Sequence, residues 1–111
     1  QDRDFTYVDD IVSGTLAACE KITNADAVNL GTTKRYKMTQ VADVIFEIVG
    51  WKPKKITFDQ SKPEGVKTRA LAIKKAKRLL NWTPQCSLRQ GLQKTIDWFI
   101  KVRPKSVETI I

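Results

Sequence analysis

Four cations, Arg3, Lys62, Lys67 and Arg69, stand in segments rich in turn-formers rather than along a helix. Three of them fall within "SKPEGVKTR", on either side of Pro63 and Gly65. Cationic side chains leaving a loop suit phosphate capture, arginine through paired N–H donors and lysine as a point charge. On residue types alone that is the minority reading, because loop cations often meet only solvent. The denser runs "KPKK" (52–55) and "KKAKR" (74–78) read as solvated faces.

Other chemistries are excluded by what is missing. The chain has no histidine, which removes Ser-His-Asp and Cys-His catalysis and the usual zinc sites. Its five glycines, at 14, 31, 50, 65 and 91, never come within ten residues of one another, so there is no glycine-rich phosphate cradle. Neither Tyr7 nor Tyr36 has a lysine four residues on. The pair Asp9-Asp10 reads as a helix cap followed by a first-turn charge that complements the helix dipole.

Length and composition frame these residues. At 111 residues, 41% hydrophobic and 29% charged, the chain is one ordinary globular domain. Twenty Lys and Arg against twelve Asp and Glu give a net charge of +8, a field that favours anionic partners. No apolar run approaches the ~18 residues of a spanning helix and no leader pattern opens the chain, so a cytoplasmic location is expected. A first residue of Gln1 suggests processing, excision from something longer, or an omitted N-terminus. Cys19, on the expected buried face of a helix, and Cys86, beside an expected cap, read as two buried or half-buried thiols rather than a disulfide or a metal pair.

The elements that must position the cations follow from periodicity. "FTYV" (5–8) reads as a strand. Asp9 then caps a helix whose buried stripe is Ile11, Val12, Thr15, Leu16, Cys19 and Ile22, with Gly14 permitting close packing. "AVNL" (27–30) reads as a second strand. "QVADVIFEIVG" places Val41, Val44, Ile45, Ile48 and Val49 on one helical face and ends on Gly50. "KITF" (55–58) reads as a third strand, and the stretch 59–72 as a loop whose second half is extended. A short helix over Ile73, Ala76, Leu79 and Leu80 stops near Asn81 and Trp82. Ser87 and Gln90 form a capping box for a last helix carrying Leu88, Gly91, Leu92, Thr95, Ile96 and Phe99. Beyond Arg103-Pro104 the tail is expected to fray. The order β-α-β-α-β-(β)-α-α predicts an α/β fold, α+β in isolation, with about four helices and three to four short strands.

Read in order, R-D-F-x-Y-V-D-D (3–10), N-L-G (29–31), P-E-G-V (63–66), K-R-L-L-x-W (77–82) and S-L-x-x-G-L (87–92) resemble the C-terminal third of NAD-dependent nucleotide-sugar epimerases and dehydratases. These are extended short-chain dehydrogenase/reductases, and the P-E-G-V-x-x-R segment is most similar to members acting on GDP-sugars. The resemblance implies a two-domain enzyme. A larger N-terminal Rossmann part holds NAD(P) and a catalytic Tyr-x-x-x-Lys, and a smaller C-terminal part binds the nucleotide-sugar. On that basis residues 1–111 are a single C-terminal substrate-binding lobe, with the Rossmann portion and its fingerprint upstream of Gln1. No cofactor is expected in this chain, NAD(P) is expected for the complete enzyme, and the chain alone should not turn over substrate.

Carried over by position, Arg3 matches the arginine that contacts the nucleotide diphosphate, and "SKPEGVKTR" matches the loop that closes over it. Arg69 is then the second anchor, followed by Lys62 and Lys67, while Asp9 and Asn29 are structural. Departures occur at Lys37 and around Ala72 and Lys74, where helix caps are expected in relatives. The implied partners are a nucleotide-sugar and either a second copy or the N-terminal Rossmann portion, since the apolar face of the first helix and the edges of "AVNL" lack their sheet. No membrane partner is implied. Nucleic acid is disfavoured because no aromatic stacking platform accompanies the basic runs.

Overall fold

The structure is a computed structural model and describes residues 2–63, 65 and 72–102. Its elements run in chain order as β1 (Asp2–Arg3), α1 (Val8–Lys21), β2 (Tyr36–Lys37), α2 (Met38–Val49), α3 (Lys74–Leu80) and α4 (Leu88–Val102). The four helices are those the periodicity predicts. β1 and β2 pair antiparallel as a two-stranded ribbon, Asp2 opposite Lys37 and Arg3 opposite Tyr36.

The strands differ from expectation. Phe5–Tyr7, Ala27–Leu30 and Lys55–Phe58 are irregular, and Val8 already belongs to α1. A β-prone tetrapeptide forms a strand only beside another that completes its ladder, and none flanks these segments among the described residues. The expected extended half of 59–72 and the fraying tail fall largely or wholly outside the described residues.

Helix ends follow local chemistry. Tyr7, not Asp9, is the N-cap of α1. Its carbonyl accepts from the Asp10 N–H at 3.0 Å, which leaves Asp9 and Asp10 together in the first turn at the positive end of the dipole. Lys37 precedes α2 and has no acceptor to offer, so only half of a capping box remains: Gln40 Oε1 accepts the Lys37 N–H at 2.7 Å. Gly50 ends α2 in the left-handed region at φ +78. Lys74 opens α3 with no acidic residue in that turn, an unfavourable charge at a positive end. Asn81 closes α3 at φ 52, and Lys21 Nζ donates to the Leu80 carbonyl at 3.0 Å, placing a cation where the dipole is negative. At α4 the reciprocal box is complete, with Gln90 Oε1 accepting from Ser87 N at 2.9 Å and Ser87 Oγ from Gln90 N at 3.2 Å.

Among the described residues α1 packs with α3 and α2 with α4. In the first, Ala76, Leu80 and Trp82 are buried against Ala17, Ala18, Ile22, Val28 and Leu30. Gly14 lets this happen. A Cβ there would stand 2.8 Å from both Leu30 methyls and 3.1 Å from Trp82 Cε2. The stripe expected to be buried on α1 largely faces out: Val12 is 48% and Leu16 61% exposed, and Cys19 is exposed too. Small residues admit the close approach of α3, so the larger apolar side chains of α1 are left on the other side. Both thiols are free; Cys86 is half-buried as expected, whereas Cys19 is exposed rather than buried.

Candidate functional site

Arg3 is half-buried on the ribbon, where its Nη1 donates to the Asp2 carbonyl at 2.7 Å. The next residue anchors the ribbon to the chain beyond Leu30. Asp4 accepts the Thr32 N–H with both carboxylate oxygens, at 2.9 and 3.2 Å, the Thr32 hydroxyl at 2.7 Å and the Thr6 hydroxyl at 3.0 Å. Hydrogen bonds to a charged acceptor contribute about 1.5–3 kcal/mol each when shielded from water. They hold a tight turn in which Thr33 lies at φ 66, a conformation that costs a β-branched residue about 1–3 kcal/mol. From this turn the chain passes through Lys34 and Arg35 into β2, opposite Arg3.

Lys62 stands in an exposed turn shaped by Asp59, whose carboxylate accepts both the N–H and the hydroxyl of Ser61. The Ser61 hydroxyl and N–H hold the Asp59 carboxyl below the usual carboxylate range. Among the described residues no hydrogen bond or ion pair joins Arg3 to Lys62. Lys67 and Arg69 lie outside the described residues, so the convergence expected between Arg3 and Arg69 also lies outside them.

A groove of about 530 Å³ opens between the 5–8 segment and α4, walled by Phe5, Tyr7, Leu88, Leu92 and Trp98. Neither Arg3 nor Lys62 lines it. The Lys94 ammonium lies 5.3 Å from the centre of the Tyr7 ring, over its face, and 3.7 Å from Cys86 Sγ. That contact joins a cation to a ring, and no phenol–lysine hydrogen bond forms there.

Among the described residues, Gly14, Gly50 and Gly91 do not build a cradle for a dinucleotide. Gly14 packs on Leu30 and Trp82, Gly91 on Tyr7, and Gly50 ends a helix. Among the described residues there is therefore no fit to NAD, whose pyrophosphate needs clustered backbone N–H groups at a helix start.

Sequence reasoning missed two carboxylates with long-range roles. Asp4 hides inside R-D-F as an ordinary acidic residue; its one signal is the pair of threonines following N-L-G. From sequence Asp10 reads only as a first-turn charge on the helix dipole, yet it is 4% exposed and accepts the backbone N–H groups of Gln85 and Cys86, each at 3.0 Å.

Comparison with known proteins adds ancestry to this geometry. The sequence pattern of the family described as GDP-mannose 4,6 dehydratase matches residues 1–95. UDP-glucuronate 4-epimerase of Thermodesulfobacterium geofontis is 37% identical over 88% of this chain and 30% of its own length. GDP-L-fucose synthase 1 of Arabidopsis thaliana is 31% identical over 89% of this chain and 30% of its own. The crystal structure of UDP-glucuronic acid 4-epimerase from Bacillus cereus, in complex with UDP-glucuronic acid and NAD, superposes with a TM-score of 0.81 at 33% identity. The match covers 92% of this chain and 33% of that one. The chain thus spans about a third of the length of the relatives it matches, and its fold class is theirs.

Proposed function

Because this chain belongs to the GDP-mannose 4,6 dehydratase family, among the NAD-dependent nucleotide-sugar epimerases and dehydratases, we propose that it is a nucleotide-sugar-binding lobe without turnover of its own. In this reading residues 1–111 form a single substrate-binding domain. Arg3 is the diphosphate anchor, and Arg69, Lys62 and Lys67 supply further positive charge from the 61–69 segment. The observation that carries the reading is the family match through R-D-F, together with the anchored ribbon that holds Arg3. An arginine carried on a fixed backbone has less freedom to lose when it grips an oxyanion than one on a mobile segment, which favours affinity. Hydride chemistry belongs to NAD in the family. Among the described residues none cradles that cofactor.

Titration calorimetry with UDP-glucuronic acid and a GDP-sugar tests the reading. Millimolar or tighter binding is expected, weakened about tenfold or more by Arg3→Ala and by Arg69→Ala, with no NAD binding and no turnover. Absence of binding at millimolar ligand, or equal binding by Arg3→Ala, would sink it.

A second reading rests on the exposed apolar face of α1, where Val8, Val12 and Leu16 line up over two turns. It favours association, either of two copies or with an N-terminal Rossmann portion. No described helix is long and apolar enough to cross a membrane, and a cytoplasmic location accords with the family reading.

A further inference from the structure

We infer that Asp4 is the positioning residue of the diphosphate anchor, an inference that rests on the nucleotide-sugar reading of Arg3. Asp4 directly follows Arg3, and an acidic residue so placed would ordinarily form an ion pair with it or weaken its attraction for anions. Neither of the ion pairs among the described residues involves Asp4. Its carboxylate is instead engaged by neutral donors from Thr32, 28 residues away, and from Thr6.

Those contacts fix both ends of one small frame. On one side Asp4 sets the backbone that carries Arg3. On the other, Thr32 opens the turn that holds Thr33 at φ 66 and returns the chain at Tyr36, opposite Arg3. Among the described residues the ribbon is two residues long on each strand, too short to fix its own register. Asp4 supplies the missing constraint, so the Arg3 guanidinium meets a diphosphate from a prepared backbone rather than a mobile one.

The inference predicts a sign opposite to simple electrostatics. Removing a negative charge beside an anion-binding arginine should tighten anion binding, whereas removing the residue that positions the arginine should weaken it. The experiment is calorimetric titration of the 111-residue chain with UDP and with uridine, comparing wild type, Asp4→Asn, Thr32→Val and Arg3→Ala, with circular dichroism to verify folding. Asp4→Asn is expected to weaken UDP binding about tenfold and Thr32→Val about threefold, with uridine affinity unchanged, so that the UDP-to-uridine ratio falls in both. Thr32→Val deletes the hydroxyl that donates to Asp4 at 2.7 Å and lies 3.3 Å from the Lys34 carbonyl, without changing charge, and keeps the test decisive if Asp4→Asn misfolds. If wild type and Arg3→Ala bind UDP equally, the reading of Arg3 fails and the inference goes with it. Should Arg3→Ala lose UDP while the folded Asp4 and Thr32 variants bind it as tightly as wild type or tighter, the inference alone is overturned. An equal loss of UDP and uridine affinity would likewise overturn it, marking Asp4 as merely structural.

Discussion

The indole Nε1 of Trp82 donates to the carbonyl of Asp10 at 3.1 Å, a bond spanning 72 residues. It ties the first turn of α1 to the chain leaving α3, and Ser13 Oγ, 3.0 Å away, lies within reach of the same indole N–H. The Asp10 carboxylate meanwhile takes the N–H groups of Gln85 and Cys86, just ahead of α4. One residue therefore joins three helices through its backbone and its side chain.

Asp10→Ala should leave two partly buried N–H groups without their acceptor and lower stability by about 2–4 kcal/mol. Asp10→Asn, which retains one acceptor oxygen, should lose about half as much. Urea denaturation of the three chains, followed by circular dichroism, checks the order; equal stability of Asp10→Ala and wild type would contradict this role.

Gly14 and Gly50 should both resist substitution, for different reasons. At Gly14 alanine improves helix propensity by about 1 kcal/mol, but its Cβ would press on Leu30 and Trp82. Overpacking of this kind costs about 1–3 kcal/mol, so Gly14→Ala should be destabilising by up to about 2 kcal/mol and Gly14→Val by more. Gly50 has open space around it but lies at φ +78, so Gly50→Ala should cost about 1 kcal/mol from the backbone alone. Midpoints from thermal melts would separate the two, and a Gly14→Val variant as stable as wild type would refute the packing argument.

The hydrogen bond and charge of Lys75 hold the Asp26 carboxyl below the usual carboxylate range. A depressed folded pKa contributes stability that is present above the unfolded value and lost as pH falls through the folded one. The pair is exposed, so the effect should be small and weakened by salt. Titration followed by the carboxyl carbon resonance should place Asp26 below the free-aspartate value near ~3.9, and Lys75→Met should move it back up. An unchanged midpoint in Lys75→Met would show that the ion pair is not the cause.

The outward stripe of α1 should govern self-association. Light scattering is expected to detect a dimer at high concentration, and Leu16→Lys should abolish it without lowering the stability of the monomer, because Leu16 is 61% exposed. A wild-type chain that remains monomeric at millimolar concentration would remove this reading.

What could be read from the residues was mostly local. The capping box of Ser87 and Gln90, the stop at Gly50 and the left-handed end at Asn81 depend on bonds or dihedrals within a few positions, so the helices were legible. Strands were not, because a strand needs a partner at a distance, and Phe5–Tyr7 and Lys55–Phe58 have none in the structure described. The inward face of α1 was misjudged for a related reason. Hydrophobicity favoured Val12, Leu16 and Cys19, but interhelical distance favoured Gly14, Ala17 and Ala18, over which Leu80 and Trp82 could close.

The order of its short motifs, by itself, determined this chain's descent and the candidacy of Arg3, since motif order survives without knowledge of any contact. Tertiary structure alone decided that Asp4 binds Thr32 and that Asp10 binds Gln85 and Cys86. Such carboxylates look like any surface acid until the fold brings backbone donors from 28 to 76 residues away within about 3 Å, a distance set by packing rather than by neighbours in the chain.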